Sequence, residues 1–340
     1  MIEGYQRLLF FLFFFIFSKC LTQDNFEINK YKNKIEKDYY KLLLNNNLLI
    51  DEVNNYCSTN KKKTENLKKK FFQLLNSWTS VQHIRFGPIE DFNNYLRIQF
   101  WPDKRNVIAR QYEKVIRNKS SEYTDFTSLG AKSVAIQGIP VLEKIIFDEL
   151  NTYNLNNRTF VCNYMKAILK NLEVIFLYTH NIWKNEADFY ENIDEDQLLG
   201  LFYNSILSQL EIIMYQKIVN TSKKNQKYSK KKLEFWRSNY SWDSILNNIG
   251  SIYEFYTMVL KPLLVEAKYP KLSDFENNFK MTLIFLNDVS YPIEKEKNIQ
   301  QLNVDLEKAH LKIKALHSSL LNDVSEVLSI NIGFNKLDGD

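Results

Sequence analysis

Residues 301–320 read "QLNVDLEKAHLKIKALHSSL", and their periodicity decides the fold class. Leu302, Leu306, Ala309, Ile313, Leu316 and Leu320 are spaced 4, 3, 4, 3 and 4 apart, and Val324 and Val327 continue the stripe. That spacing lines one face of an α-helix, because about 3.6 residues complete a turn. A stripe of this width reads as core packing and not as a cofactor site.

The same period recurs outward from this helix, over 28–57, 63–85, 107–118, 124–150, 160–187, 195–219, 230–236, 243–267 and 273–290. Breakers separate these segments: Gly87-Pro88, Pro102, Gly130, Pro262, Pro270 and Pro292. Gly138 and Pro140 instead interrupt a helical pattern, which predicts a kink near 136–140. The 340 residues include only 8 Gly and 6 Pro. That is about 4% against a usual ~12%, too few turn residues for a sandwich or barrel. The expected fold is all-α. Two helical bundles, 21–190 and 191–340, suit the length, with the acidic "NEADFYENIDEDQ" at 185–197 as the boundary.

The N-terminus, "MIEGYQRLLFFLFFFIFSKC", places Arg7 before an apolar run from Leu8 to Phe17. A bilayer-spanning helix needs about 20 such residues, so this run reads as the core of a signal peptide over residues 1–20. The expected destination is the periplasm or cell envelope. Cleavage near Ser18–Cys20 and lipidation of Cys20 both remain open, although Lys19 stands where lipoprotein signals carry a small residue. No later run approaches the length of a span, so the mature chain is expected to be soluble or peripherally attached. Export permits a Cys57–Cys162 disulfide; two free buried thiols are the alternative. The net charge of +5 is small, and the lysine runs at 61–63, 68–70 and 229–232 sit among Asn, Ser and Thr in solvated segments. Nucleic-acid binding is therefore not expected.

The densest polar stretch is "SVQHIRFGPIEDFNNYLRIQFWPDKRN", residues 80–106. Arg85 precedes the Gly87-Pro88 turn. Tyr95, Ile98 and Trp101 recur every three residues, as on one helix face, and Arg97 is placed to lay its guanidinium on an aromatic ring. Pro102 restricts Trp101 to extended backbone, and Asp103 is placed to cap the next segment. Two readings stand side by side: a buried ion-pair network locking a helix corner, or a ligand cleft into which Arg85 and Arg97 point. Either predicts acidic partners, because an unpaired buried arginine costs several kcal/mol. Two further stretches carry polar clusters: "AIQGIPVLEKIIFD" at 135–148, and "EFWRSNYSWDSILNNI" at 234–249, where Ser241 or Asp243 is placed to cap a helix. The closing "LSINIGFNKLDGD" reads as a segment docking back onto the body.

Taken in order, "RFGPIED", "RIQFWPDKRN", "QGIPVLEKIIF", "FWRSNYSWDSI" and "GFNKLDGD" resemble the imelysin family, peptidase family M75 or insulin-cleaving membrane protease-like proteins, over roughly residues 78–340. The resemblance implies an exported all-helical envelope protein whose two bundles are related by a pseudo-two-fold axis, with a functional cleft between them. It also implies a G-x-H-x-x-E motif whose His and Glu were proposed to hold a metal. Here that motif reads Gly138-Ile-Pro-Val-Leu-Glu143, with Pro140 in place of the histidine. Proline has no lone pair for a metal, and one glutamate is not a site.

The other histidines are His83, His180, His310 and His317, and none forms an i, i+4 ligand pair. No G-x-S-x-G and no glycine-rich phosphate loop occurs. The expected function is therefore capture of an anionic small ligand in the inter-domain cleft, without catalysis or cofactor. Some relatives belong to iron-uptake systems, so a link to iron comes from the resemblance alone. The residues expected to line or brace the cleft are Arg85, Arg97, Trp101, Asp103, Gln137, Gly138, Pro140, Glu143, Arg237 and Ser238. A metal-dependent peptidase and an adaptor receiving a protein segment are the alternatives.

Overall fold

The computed structural model describes residues 2–59, 63–150, 155–185, 193–218, 230–289 and 298–333, with side chains in the first helix from Glu27 on. The expected signal segment and Cys20 rest on side chains outside the described residues, as do the terminal "FNKLDGD" and residues 186–192 of the expected domain boundary.

Every regular element among the described residues is helical. The long helices are α1 (Ile2–Ser58), α2 (Glu65–Val81), α4 (Val107–Asn118), α7 (Leu155–Asn185), α8 (Glu195–Ile212), α9 (Ser241–Phe255), α10 (Leu272–Asp288) and α11 (Ile299–Ser318). Short helices lie among them, including α3 (Asn94–Ile98), α5 (Phe126–Gly130) and α6 (Ile139–Lys144). Helices α6, α8, α9 and α11 each run on into a π-helical turn. α1 packs along α7 and α2, α2 along α9, and α10 along α11.

The apolar period accounts for these packings. Leu67, Phe71, Leu74, Trp78 and Val81 are the buried face of α2, and Ile108, Tyr112 and Val115 that of α4. The stripe of α11 is buried from Leu302 through Val324, whereas Val327 lies on the surface. Helix α8 with its π-turn, Glu195–Ile218, has the length and mean hydropathy of a membrane span. Its apolarity has another cause here: Phe202, Tyr203, Ile206, Leu210, Ile213 and Met214 are buried in the core, and a helix covered on most sides reads as apolar all round. Tyr31 of α1 meets the edges of Phe202 of α8 and Phe255 of α9, with ring centroids 5.0 and 4.9 Å away. Phe86 meets Phe202 at 5.0 Å. Residues before and after 190 thus share one apolar core.

Three sequence expectations change. The pattern over 124–150 is not one kinked helix but α5, a short turn at Val134–Ile136, and α6. Pro140 lies in the first turn of α6, where helix geometry asks for no backbone donor, so it opens a helix instead of bending one. The segment 230–236 forms a single turn at Lys230–Lys232 and then a tight loop. Trp101 leaves the helix face expected for it, because α3 ends at Ile98.

A side-chain cap fixes the start of α8. Asp194 accepts from the Gln197 backbone at 2.8 Å while the Gln197 side chain accepts from the Asp194 N–H at 3.2 Å, a capping box that starts α8. Ser241 donates to the carbonyl of Glu234 and does not cap α9. Near the C-terminus, Asn204 of α8 binds the Asn331 carbonyl at 3.2 Å and the Gly333 N–H at 3.0 Å, docking that segment back on the body.

Candidate functional site

The chain between α2 and α4 is held by short-range geometry. Asp103 accepts from the N–H groups of Val107 and Ile108 at 2.6 and 3.1 Å, capping α4 from its own sequence position. In the preceding segment, Gln99 and Trp101 border two cavities. The first, about 750 Å³, is lined by Gln99–Asn106, by Pro140 and Glu143 of α6, and by Lys231–Leu233 and Phe235–Arg237. The second, about 720 Å³, is lined by Arg85, Tyr95, Gln99, Trp101, Lys217 and Glu234 among others.

Glu143 sits in the first cavity, 2% exposed. Its Oε1 accepts from the Ser238 backbone N–H at 2.9 Å and the Ser238 hydroxyl at 2.7 Å. Arg237 places Nη1 3.9 Å from the other oxygen, spends Nε on Asp148 at 2.8 Å, and lies over the Trp236 ring at 4.3 Å. Burial pushes the Glu143 carboxyl up to about 7, against the pull of the Ser238 donors and of Arg237. The loop carrying Ser238 turns at Phe235, whose φ of 52° is the left-handed region that a bulky residue rarely adopts. This turn sends Glu234 and Ser238 to different partners. Around the mouth stand Lys104, Arg105, Lys231 and Lys232. Of the two carboxylates in this lining, Asp103 is engaged by α4 and Glu143 by Ser238.

Arg97 lines neither cavity. Its Nε donates to Gln137 Oε1 at 3.1 Å, Nη1 to Asn94 Oδ1 at 3.3 Å and Nη2 to Asn171 Oδ1 at 2.7 Å. The cage is made of amides, not acids, and burial pulls the Arg97 pKa down. Gln137 is itself fixed by Asn171 at 3.1 Å and by the Lys132 carbonyl at 2.8 Å. Gly138 lies under the end of α3, where an added Cβ would sit 2.4 Å from the Arg97 carbonyl oxygen and 2.5 Å from that of Ile98. Arg97, Gln137 and Gly138 thus lock a helix corner.

Arg85 faces the second cavity. Its guanidinium lies over the Tyr95 ring, 4.1 Å from the centroid, and donates to the Tyr95 hydroxyl. The aromatic layering expected of Arg97 is made by Arg85. Neither arginine has a carboxylate partner among the described residues, contrary to expectation: amides take that role for Arg97, and a phenol for Arg85.

Behind this cavity lies a buried polar network that sequence reasoning missed. Glu234 accepts from Gln82 at 2.6 Å, Gln99 at 3.3 Å, Ser244 at 2.5 Å and Lys217 at 2.6 Å. Lys217 also donates to Asn248 at 2.6 Å, and Asn248 donates to the Thr79 carbonyl at 2.8 Å. One signal for it was present, a lysine near the end of the otherwise apolar helix α8. The Lys231 and Lys232 run, read from sequence as merely solvated, borders the first cavity.

The ten expected site residues therefore divide three ways. Trp101, Asp103, Pro140, Glu143 and Arg237 line the first cavity, with Ser238 behind Glu143. Arg97, Gln137 and Gly138 form the corner, and Arg85 lines the second cavity, which Trp101 also borders. Cys57 and Cys162 are joined in a disulfide, Cα atoms 5.9 Å apart, tying the end of α1 to α7.

The imelysin family model matches residues 35–320. The chain belongs to the imelysin family. An imelysin-like protein from Psychrobacter arcticum 273-4 superposes with a TM-score of 0.77 at 18% identity, covering 93% of this chain and 98% of that one. A protein named as an iron-regulated protein A precursor, from Parabacteroides distasonis ATCC 8503, gives 0.68 at 14% identity, covering 86% and 91%. At these identities the likeness is one of fold. No curated protein matches the chain.

The imelysin motif raises the question of a metal at Glu143, and the donors here do not fit one. Pro140 supplies no ligand. One Glu143 oxygen is occupied by two Ser238 donors, and a guanidinium faces the other. Among the described residues no three His, Cys, Asp or Glu side chains converge. The four histidines are placed elsewhere. His83 is fully buried against the Tyr31 hydroxyl at 2.9 Å, with burial lowering its pKa to about 3. His180 pairs with Glu36 at 2.7 Å, His317 with Glu211 at 3.1 Å, and His310 packs by the Tyr215 ring.

Proposed function

We propose that this imelysin-family chain is an exported cell-envelope protein that captures an anionic small molecule in the first cavity, without catalysis. The observation that carries this reading is the charge of the lining. Lys104, Arg105, Lys231, Lys232 and Arg237 face a space whose two carboxylates, Asp103 and Glu143, are each held by protein donors. Cations grouped around a concave site with an aromatic wall at Trp101 suit a ligand carrying several negative oxygens. The lining comes from both sides of residue 190, which supports reading the cavity as the expected cleft between segments 21–190 and 191–340. Export is supported by the Arg7 and Leu8–Phe17 pattern and by the Cys57–Cys162 bond, which persists in oxidising compartments. The name of the Parabacteroides neighbour, an iron-regulated protein, supports an iron-related setting.

Calorimetric titration with citrate tests the reading. Binding is expected to weaken with added salt and to fall in Arg237→Gln and in the Lys231→Gln/Lys232→Gln pair; repeating it with ferric citrate tests the iron link. Absence of binding by citrate and inorganic phosphate alike, or affinity indifferent to these substitutions, refutes it.

A further inference from the structure

The second cavity takes no part in that reading. We propose that it is a separate binding site for a small organic monocarboxylate, whose acid group pairs with Arg85. At about 720 Å³ it has the size of a small-molecule site. Its charges leave a single opening. Lys217 and Glu234 neutralise each other at 2.6 Å. Glu90 is exposed and has interactions of its own. Arg85 is half-buried, held flat against Tyr95, and pairs with no carboxylate among the described residues.

Arg85 Nε is buried without a partner, so the protein itself does not use up the donors of this guanidinium. Such atoms are uncommon in folded proteins and costly. A guanidinium held in one plane by ring stacking is prepared for the planar, two-point pairing that a carboxylate offers. A dianion is opposed by Glu90 in the same lining, which favours a singly charged acid. The rest of the ligand meets the apolar side chains of Phe86, Leu96 and Ile212 and the amides of Asn93 and Gln216.

The test presents lactate, glucuronate and benzoate, with glucose and benzamide as uncharged counterparts, to the full chain by calorimetry and saturation-transfer NMR. At least one carboxylate is expected to bind with unit stoichiometry while its neutral counterpart does not. Arg85→Gln should weaken that binding at least about tenfold, the loss of a charge-assisted pair. Gln216→Trp, which fills the cavity and leaves Arg85 in place, should abolish it. Should Arg85→Gln not fold, the Gln216→Trp result decides alone. Failure of every carboxylate to bind, equal binding of the neutral compounds, or unchanged affinity in a folded variant overturns the proposal.

Discussion

The Lys217 ammonium lies 2.6 Å from the Glu234 carboxylate, and neither side chain is more than 3% exposed. The two come from the π-turn ending α8 and from the loop before α9. Gln82 contacts both, so α2 is tied to the later half of the chain through charge. Burial lowers the Lys217 pKa, with Glu234 pulling against it. A pair this dry is stable only while both members are present.

Replacing Lys217 by Met alone strands the Glu234 charge and is expected to cost about 3–5 kcal/mol. The double variant Lys217→Met/Glu234→Gln should recover most of that loss, since the amide oxygen still accepts from Gln82 and the amide NH2 can donate to the Ser244 oxygen that Lys217 vacates. Urea denaturation of wild type, both single variants and the double variant measures the coupling. Additive losses would show that the pair does not act as a unit.

Glu143 makes stability depend on pH. Its carboxyl titrates near 7 in the folded protein, against an ordinary value near 4.5. Between these values the native state binds more protons than the unfolded state, so this contribution is full below about pH 4.5 and disappears as pH rises through 7. The difference amounts to about 3 kcal/mol. Glu143→Gln, which keeps an acceptor for Ser238, should flatten the stability profile between pH 5 and 8 by this amount. An unchanged slope in the variant would place the titration elsewhere.

Gly138→Ala tests the helix corner. The new methyl would meet the carbonyl oxygens of Arg97 and Ile98 at 2.4 and 2.5 Å, and backbone cannot rotate away as a side chain can. Destabilisation of about 3 kcal/mol is expected, accompanied by loss of amide protection at Gln137 and Ile139. Wild-type stability would mean that α3 does not press on this residue.

The Cys57–Cys162 bond closes a sequence separation of 105 residues. Cross-links over loops of that length stabilise by about 2–5 kcal/mol. Non-reducing peptide mapping should recover the linked pair, and Cys57→Ala/Cys162→Ala should lower the urea midpoint accordingly. Free thiols at both positions in protein isolated from an oxidising compartment would contradict the assignment.

Local signals were the legible ones. The 4, 3, 4 spacing of α11, the limits of α4 at 107–118 and the Asp103 cap all arise from interactions within a few residues, which sequence order alone specifies. The resemblance to imelysins likewise rested on short ordered motifs. Pro140 was misread as a kink because a proline in the first turn of a helix and one in its interior look alike until the start of the helix is known.

Which side chains meet across the fold was a different matter. By itself the sequence determined an all-helical chain and where most long helices begin and end, because helical period and capping are properties of neighbouring residues. Only the tertiary structure separated Arg85 from Arg97 and Glu143, paired Lys217 with Glu234, and brought the 231–232 lysines to a cavity lined by Trp101. Those contacts join positions from 17 to more than 100 residues apart, and the packing angles that create them are set by the whole core.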